Sequence, residues 1–164
     1  VRLVHLPTLW TILLDIAAWG IIHLAVVACM VRIPQSRFDA SGWLCAARPW
    51  ERDGRFYETR LRVRSWKAHV PDGAGFSRGR GFPKRRLEKR GPLYLDAFLV
   101  ETCRAEWTHW IIMGFGPLFF LWNKPWVGWV MLGYALAENL PLIAVQRYNR
   151  LRFRRVLAKK GVVH

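Results

Sequence analysis

Apolar positions along this chain gather into three runs, 6–31, 107–122 and 125–145, which contain Asp15 and Glu138 as their only acids and no Lys or Arg. A helix rises ~1.5 Å per residue and a bilayer core is ~30 Å thick, so runs of this kind predict membrane spans. The expected spans are about 6–31, 98–122 and 125–146. The first run lies where a signal peptide would lie. It is long and continuous, however, and has no small-residue cleavage site before Arg32, so it is expected to be a retained helix.

Pro92 predicts the start of a second helix running to Trp122, with Gly114, Gly116 and Pro117 as kink points. Asn123-Lys124-Pro125 is then a minimal connection, Asn as a cap and Pro at the first helical position, so the second and third helices form an antiparallel hairpin. Pro141 is expected to interrupt the third helix. The predicted fold is an all-α integral membrane protein, a single membrane domain over residues 1–164 with three transmembrane helices. Its basic cytosolic segment, 32–97, should contain an interfacial helix, and a basic tail covers 147–164. Within 49–67, Phe56, Val63 and Trp66 fall at helical spacing, although 60–64 also alternates like a strand. The favoured reading is a short helix on the membrane surface. Val70-Pro71-Asp72-Gly73 predicts a turn, followed by a Gly/Arg-rich loop over 73–90.

Charge adds orientation. The formal net charge is +15 although 52% of residues are hydrophobic. Residues 32–106 hold seventeen Lys/Arg against nine Asp/Glu, and 147–160 hold seven basic residues and no acid. Positive loops stay in the cytosol, so the N-terminus is expected outside and the C-terminus inside a bacterial cell membrane. The same residues suit anionic lipid headgroups, and their placement beside membrane spans argues against nucleic acid as a partner. Ten tryptophans lie mostly near the proposed boundaries, as an aromatic belt would. Cys29, Cys45 and Cys103 show no paired spacing and are expected to be packing residues rather than a disulfide framework.

The candidate chemistry lies at 101–110, where Glu101, Arg104, Glu106 and His109 stand at the mouth of the second apolar run. Ionisable groups there are expensive to desolvate. Glu101 and Arg104 are three apart and can pair, either as part of a site or as a neutral doorway to the helix; Glu106 and His109 are also three apart. A carboxylate beside a histidine makes a general base fit to deprotonate a hydroxyl. His23 lies nine residues from Arg32, His109 eight from Glu101, and Glu138 nine from Arg147. At ~1.5 Å per residue all three reach ~12–14 Å from the cytosolic side, which predicts a shared polar pocket. Singly, His23 and Glu138-Asn139 also read as interhelical hydrogen-bonding groups, as does Asp15. Glu106-x-x-His109 is half of a di-iron carboxylate motif, and with no second half a metal is not expected.

The motifs, in order, are Arg32-Ile33-Pro34, Arg64-Ser65-Trp66-Lys67, Pro71-Asp72-Gly73, Glu101-Thr102, Arg104-Ala105-Glu106, His109-Trp110, Pro141, and Gln146-Arg147-Tyr148-Asn149-Arg150 with Arg152. This set resembles the glycosyl-diaponeurosporenoate acyltransferases, small membrane enzymes of bacterial carotenoid biosynthesis, over most of the chain. The resemblance implies transfer of a fatty acyl group to a sugar hydroxyl of a glycosylated carotenoid or related glycolipid. It assigns no catalytic residues, so the roles follow from chemistry. Neither an HxxxxD nor a GxSxG signature is present, which leaves direct attack by the substrate hydroxyl. The expected catalytic set is His109 as base, Glu106 orienting it, Arg104 on the oxyanion or thioester, and Glu101 beside it. Arg147, Asn149 and Arg150 are expected on the phosphates of the donor, with His23, Glu138, Asn139 and Gln146 completing the substrate-binding set. Acyl-CoA is the candidate donor and no tightly bound cofactor is expected. The alternative is a non-enzymatic structural subunit of a larger, pigment-bearing membrane complex.

Overall fold

In the computed structural model, residues 3–69 and 92–159 are described, the side chains of 97–158 in the second part. The turn expected at 70–73 and the loop over 73–90 lie outside the described residues. Among the described residues five α-helices run in the order α1 (Thr8–Arg32), α2 (Arg55–Thr59), α3 (Val63–Trp66), α4 (Pro92–Gly114) and α5 (Pro125–Lys159). Short 3-10 turns link them, and no strand occurs among the described residues.

Two helices, α1 and the stretch Pro125–Ala158 of α5, are long and apolar enough to cross a membrane. Helix α1 buries Asp15, Trp19, Val26 and Met30, a stripe at multiples of a helical turn. Its other faces leave Leu9, Ile16 and Ile21 each more than 60% exposed, and α5 does the same with Trp126 and Trp129. Apolar surface of that extent belongs against lipid rather than water.

The second predicted helix is shorter than expected. It ends at Gly114, and Gly116–Leu121 forms a 3-10 turn instead of continuing to Trp122. Pro117 cannot donate a backbone hydrogen bond at this place, and the two glycines lower the cost of leaving the helix. The turn is fastened by stacking: the Trp19 and Phe119 rings lie 4.5 Å apart at 20°. Gly128 makes room for it, since a Cβ there would meet the Phe120 ring at 2.5 Å. Asp15 fixes the connection from the other side, its Oδ1 accepting from Trp122 Nε1 and Asn123 Nδ2, each at 2.7 Å. Asp15, expected to bond between helices, instead ties α1 to the connection that precedes α5.

Helix α5 also departs from expectation. It runs through Pro141 without ending and continues across the predicted tail to Lys159. Packing against α4 compensates for the one backbone bond that proline removes. Ala135, Asn139, Ile143 and Arg147, spaced by four, are all buried, with Ala135 in the cluster that holds Ile112 of α4 and with Asn139 and Arg147 bonded to His109 and Glu106 of α4. This seam changes from apolar to charged as it leaves the span.

The expected interfacial helix within 49–67 is broken into pieces. Arg52, Asp53 and Arg62 take left-handed backbone angles (φ 49°, 54° and 48°), as does Gly54 at 90°. Each non-glycine residue there costs about 1 kcal/mol or more, so surrounding contacts must hold the path. Gly54 lies against α5, where a Cβ would stand 3.2 Å from Leu151 Cβ. The segment therefore folds onto α5 instead of lying as a separate amphipathic rod.

The cysteines are corrected as well. Cys45 and Cys103 form a disulfide across 58 residues, with Cα atoms 5.7 Å apart, while Cys29 is exposed on α1. Spacing gave no hint because one partner sits in a loop and the other on α4, and only the tertiary fold brings them together.

Candidate functional site

Consecutive residues of a helix point about 100° apart, so Glu138 and Asn139 reach different neighbours. Glu138 Oε1 lies 3.1 Å from Nε2 of His23 on α1, and His23 Nδ1 lies 2.8 Å from the Trp19 carbonyl. Asn139 Oδ1 lies 3.0 Å from Nδ1 of His109 on α4. A polar layer thus crosses all three long helices at one level, joining the residues whose depths matched in the sequence.

The amide of Asn139 is oriented by a second contact, Nδ2 donating to the Ala135 carbonyl at 2.9 Å. Its oxygen therefore faces His109 and accepts from Nδ1–H, which leaves the imidazole lone pair on Nε2. Asn139 is fully buried and His109 half-buried, so the amide is held away from water.

Glu106 is engaged elsewhere. Its carboxylate accepts from Arg147 Nη1 at 2.6 Å, from Arg150 Nη2, and from Trp110 Nε1 at 3.4 Å. Arg147 binds Glu51 side by side, Nε to Oε1 at 2.6 Å and Nη2 to Oε2 at 2.9 Å. Its remaining hydrogens go to the carbonyls of Leu44 (2.8 Å) and Ala46 (2.9 Å). All five guanidinium donors are thereby engaged with protein acceptors. Two carboxylates and two guanidiniums form a neutral cluster, with Glu51, Glu106 and Arg150 fully buried. Tyr57 completes it by donating to Glu51 Oε1 at 2.6 Å.

Burial opposes ionisation of Glu51, but hydrogen bonds from Arg147, Tyr57 and the Arg48 N–H outweigh it and hold the carboxyl below the usual range. The Tyr57 hydroxyl is pushed up, first by burial and then by the neighbouring carboxylate.

Arg150 donates through Nη2 to Glu106, while its buried Nε and Nη1 make no hydrogen bond among the described residues. Glu101 and Arg104 pair on α4, both buried. Asn149 accepts from Lys67 Nζ at 3.0 Å. Burial, followed by the nearby charges of Arg152 and Arg64, lowers the pKa of that ammonium. Gln146 is half-buried on α5 beside Arg147. Among the described residues no group of three His, Cys, Asp or Glu side chains could hold a metal.

Seven of the eleven expected residues fall into two groups. His23, Glu138, Asn139 and His109 meet in the polar layer. Glu106 and Arg147 belong to the charged cluster below it, where Arg150 also sits. Glu51 and Tyr57, central to that cluster, were not foreseen; in sequence, Glu51 is one charge among many in a basic segment.

The profile of the glycosyl-4,4'-diaponeurosporenoate acyltransferase family matches residues 34–159. The chain is similar to the glycosyl-4,4'-diaponeurosporenoate acyltransferase of Staphylococcus aureus (strain bovine RF122 / ET3-1), with 30% identity over 149 residues, 89% of each chain. The enzyme of the same name from Staphylococcus haemolyticus (strain JCSC1435) is also 30% identical, over 88% of this chain and 86% of its own. No solved structure matches. With the family profile covering the charged cluster and all of the polar layer but His23, the chain belongs to the glycosyl-4,4'-diaponeurosporenoate acyltransferase family and is an acyltransferase.

Proposed function

We propose that this protein transfers a fatty acyl group from a thioester donor such as acyl-CoA to a sugar hydroxyl of a glycosylated carotenoid or related glycolipid. It does so within a bacterial cell membrane. The observation that carries the reading is the chain His109 Nδ1, Asn139 Oδ1, Asn139 Nδ2, Ala135 carbonyl, which sets His109 Nε2 as a base. The sugar oxygen attacks the thioester carbonyl as Nε2 takes its proton. Collapse of the tetrahedral intermediate breaks the C–S bond, and the proton passes from the imidazolium to the departing thiolate. Asn139 takes the orienting role that sequence spacing assigned to Glu106.

The two Arg150 nitrogens without partners among the described residues support a role for this residue on an anionic part of the donor. The engaged donors of Arg147 favour a positioning role instead, fixing Glu106 and the segment that bears Glu51. Helix α4 passes beside α1 and α5 as a third, shorter crossing, with the N-terminus outside and both basic regions in the cytosol, where an acyl-CoA is available.

The test uses the protein in lipid nanodiscs with an acyl-CoA and a glycosylated carotenoid acid, the ester product being read by mass spectrometry. Wild-type protein forms the ester, and His109→Ala lowers turnover by about 10²–10⁴-fold. No product from wild type, or full turnover by a folded His109→Ala variant, overturns the reading. Stable co-purification of inactive wild type with a larger complex would favour a structural subunit.

A further inference from the structure

Lys67 is held against α5 at two points. Its Nζ donates to Asn149 Oδ1 at 3.0 Å and stands 4.8 Å from the centroid of the Tyr148 ring. An ammonium has three hydrogens, so these contacts leave one for a ligand. Arg64 lies three residues before Lys67, and Arg152 three residues after Asn149, so each guanidinium stands one turn from the Lys67–Asn149 bond. Burial and then the charges of Arg152 and Arg64 act against the ammonium. Among the described residues none of the three cations pairs with a carboxylate. A basic surface that only marks the cytosolic side needs no such convergence, because like charges gain by spreading apart in water. Here the middle cation is instead half-buried and fastened in place, and a bound anion offsets the repulsion.

Height along α5 selects the anion. Asn149 lies ten residues beyond Asn139, the partner of His109, which at ~1.5 Å per residue separates the two levels by ~15 Å. In a coenzyme A thioester about thirteen bonds join the sulfur to the first phosphorus, and an extended chain advances ~1.1–1.2 Å per bond, again ~15 Å. A thioester at the level of His109 therefore brings the pyrophosphate to the level of Lys67. Arg64 and Arg152 are exposed, as a site filled from the cytosol requires. Arg150 is fully buried, so these three residues meet an arriving phosphate first. Guanidiniums grip phosphate through paired N–H donors, and an ammonium adds a point charge.

We infer that Arg64, Lys67 and Arg152 form a phosphate-binding site, and that the phosphates it takes are those of the acyl donor's nucleotide. The inference rests on the acyl-transfer reading and gives the donor a second anchor, away from the reacting carbonyl. The three side chains are binding residues for the donor and take no part in the proton transfer. A lipid headgroup presents the same phosphate chemistry but has no arm to link the two levels.

Binding is measured without an acyl group, so that the result stands apart from turnover. The protein in phosphatidylcholine nanodiscs is titrated with coenzyme A and, in parallel, with pantetheine, which lacks the phosphates and the nucleotide. Wild type is expected to prefer coenzyme A by about tenfold or more, the worth of a charge-assisted hydrogen bond. Lys67→Gln and Arg152→Gln should each weaken coenzyme A binding by about tenfold and leave pantetheine unchanged. Arg37→Gln removes an exposed charge elsewhere in the basic segment and should leave both unchanged. Should Lys67→Gln not fold, Arg152→Gln, exposed on α5, decides. Equal binding of the two probes by wild type, wild-type affinity in folded Arg152→Gln, or the same loss in Arg37→Gln overturns the site. A second arm uses nanodiscs of phosphatidylcholine and phosphatidylglycerol, with the lipid retained on extraction counted by mass spectrometry. Phosphatidylglycerol retention that Lys67→Gln abolishes while coenzyme A binding holds would assign the site to a lipid headgroup and overturn its assignment to the donor. Absence of ester product, alongside intact coenzyme A selectivity, would instead overturn the acyl-transfer reading.

Discussion

Arg147 and Glu51 meet side by side through two hydrogen bonds, at 2.6 and 2.9 Å, although 96 positions separate them. The contact locks a segment with left-handed backbone at Arg52 and Asp53 onto the last helix. Removing one partner leaves the other charge buried and uncompensated. Arg147→Ala should therefore cost about 3–5 kcal/mol. Arg147→Lys should rescue little, because an ammonium cannot reproduce the fork. Thermal unfolding in nanodiscs measures both, and a near-neutral Arg147→Ala would refute the clasp.

The same contact gives stability a pH dependence. The Glu51 carboxyl is held below its ordinary value of 4.5, so its contribution is complete above that value and is lost as pH falls through the lower folded value. The melting temperature should fall more steeply in acid below about pH 4.5 for wild type than for Glu51→Gln, which has no proton to gain there. Parallel acid profiles would show that Glu51 is not the group responsible.

Asn139 offers a test of orientation as distinct from packing. Asn139→Asp keeps an oxygen acceptor for His109 Nδ1–H, whereas Asn139→Leu keeps similar bulk without it. Turnover should survive largely in the first and fall by about 10–100-fold in the second. The comparison is made by initial rates at saturating acceptor on proteins of matched folding. Equal rates in the two variants would remove Asn139 from the mechanism.

The Cys45–Cys103 bond tests topology. With the N-terminus outside, both cysteines face the cytosol, where thiols are kept reduced. Alkylation of intact cells followed by mass spectrometry reads the state of the pair, and thiols that close the bond only after addition of an oxidant would agree with the proposed orientation. A fully oxidised pair in untreated cells would place this face outside and reverse the proposed orientation.

Much of the architecture was legible before the structure. Two apolar runs long enough to cross a membrane, the Asn123-Lys124-Pro125 corner and the Glu101–Arg104 pair follow from local periodicity. Depth counting brought His23 and Glu138 to the same level because a helix converts residue number into height. The failures share a cause. Helical spacing lists which side chains can meet on one helix but not which competitor wins. Glu106 could reach His109, yet guanidiniums arriving from 41 and 44 residues away took its oxygens. Glu51 and the Cys45–Cys103 pair depend on a loop path that no periodicity encodes. Pro141 misled because the loss of one backbone bond is small against a packed seam.

The clasp also bears on how the protein is made. Glu51 and Tyr57 leave the ribosome long before Arg147, and at ~5–20 residues per second the interval lasts several seconds. Throughout that time the carboxylate lacks the guanidinium that clasps it in the fold, and its segment has no surface to lie on. Only the arrival of α5 allows the early half of the chain to bury its own charge. A chain stopped short of Arg147 would present this aromatic loop, with Glu51 unclasped, to cellular proteases, so the last helix serves as a built-in check of complete synthesis.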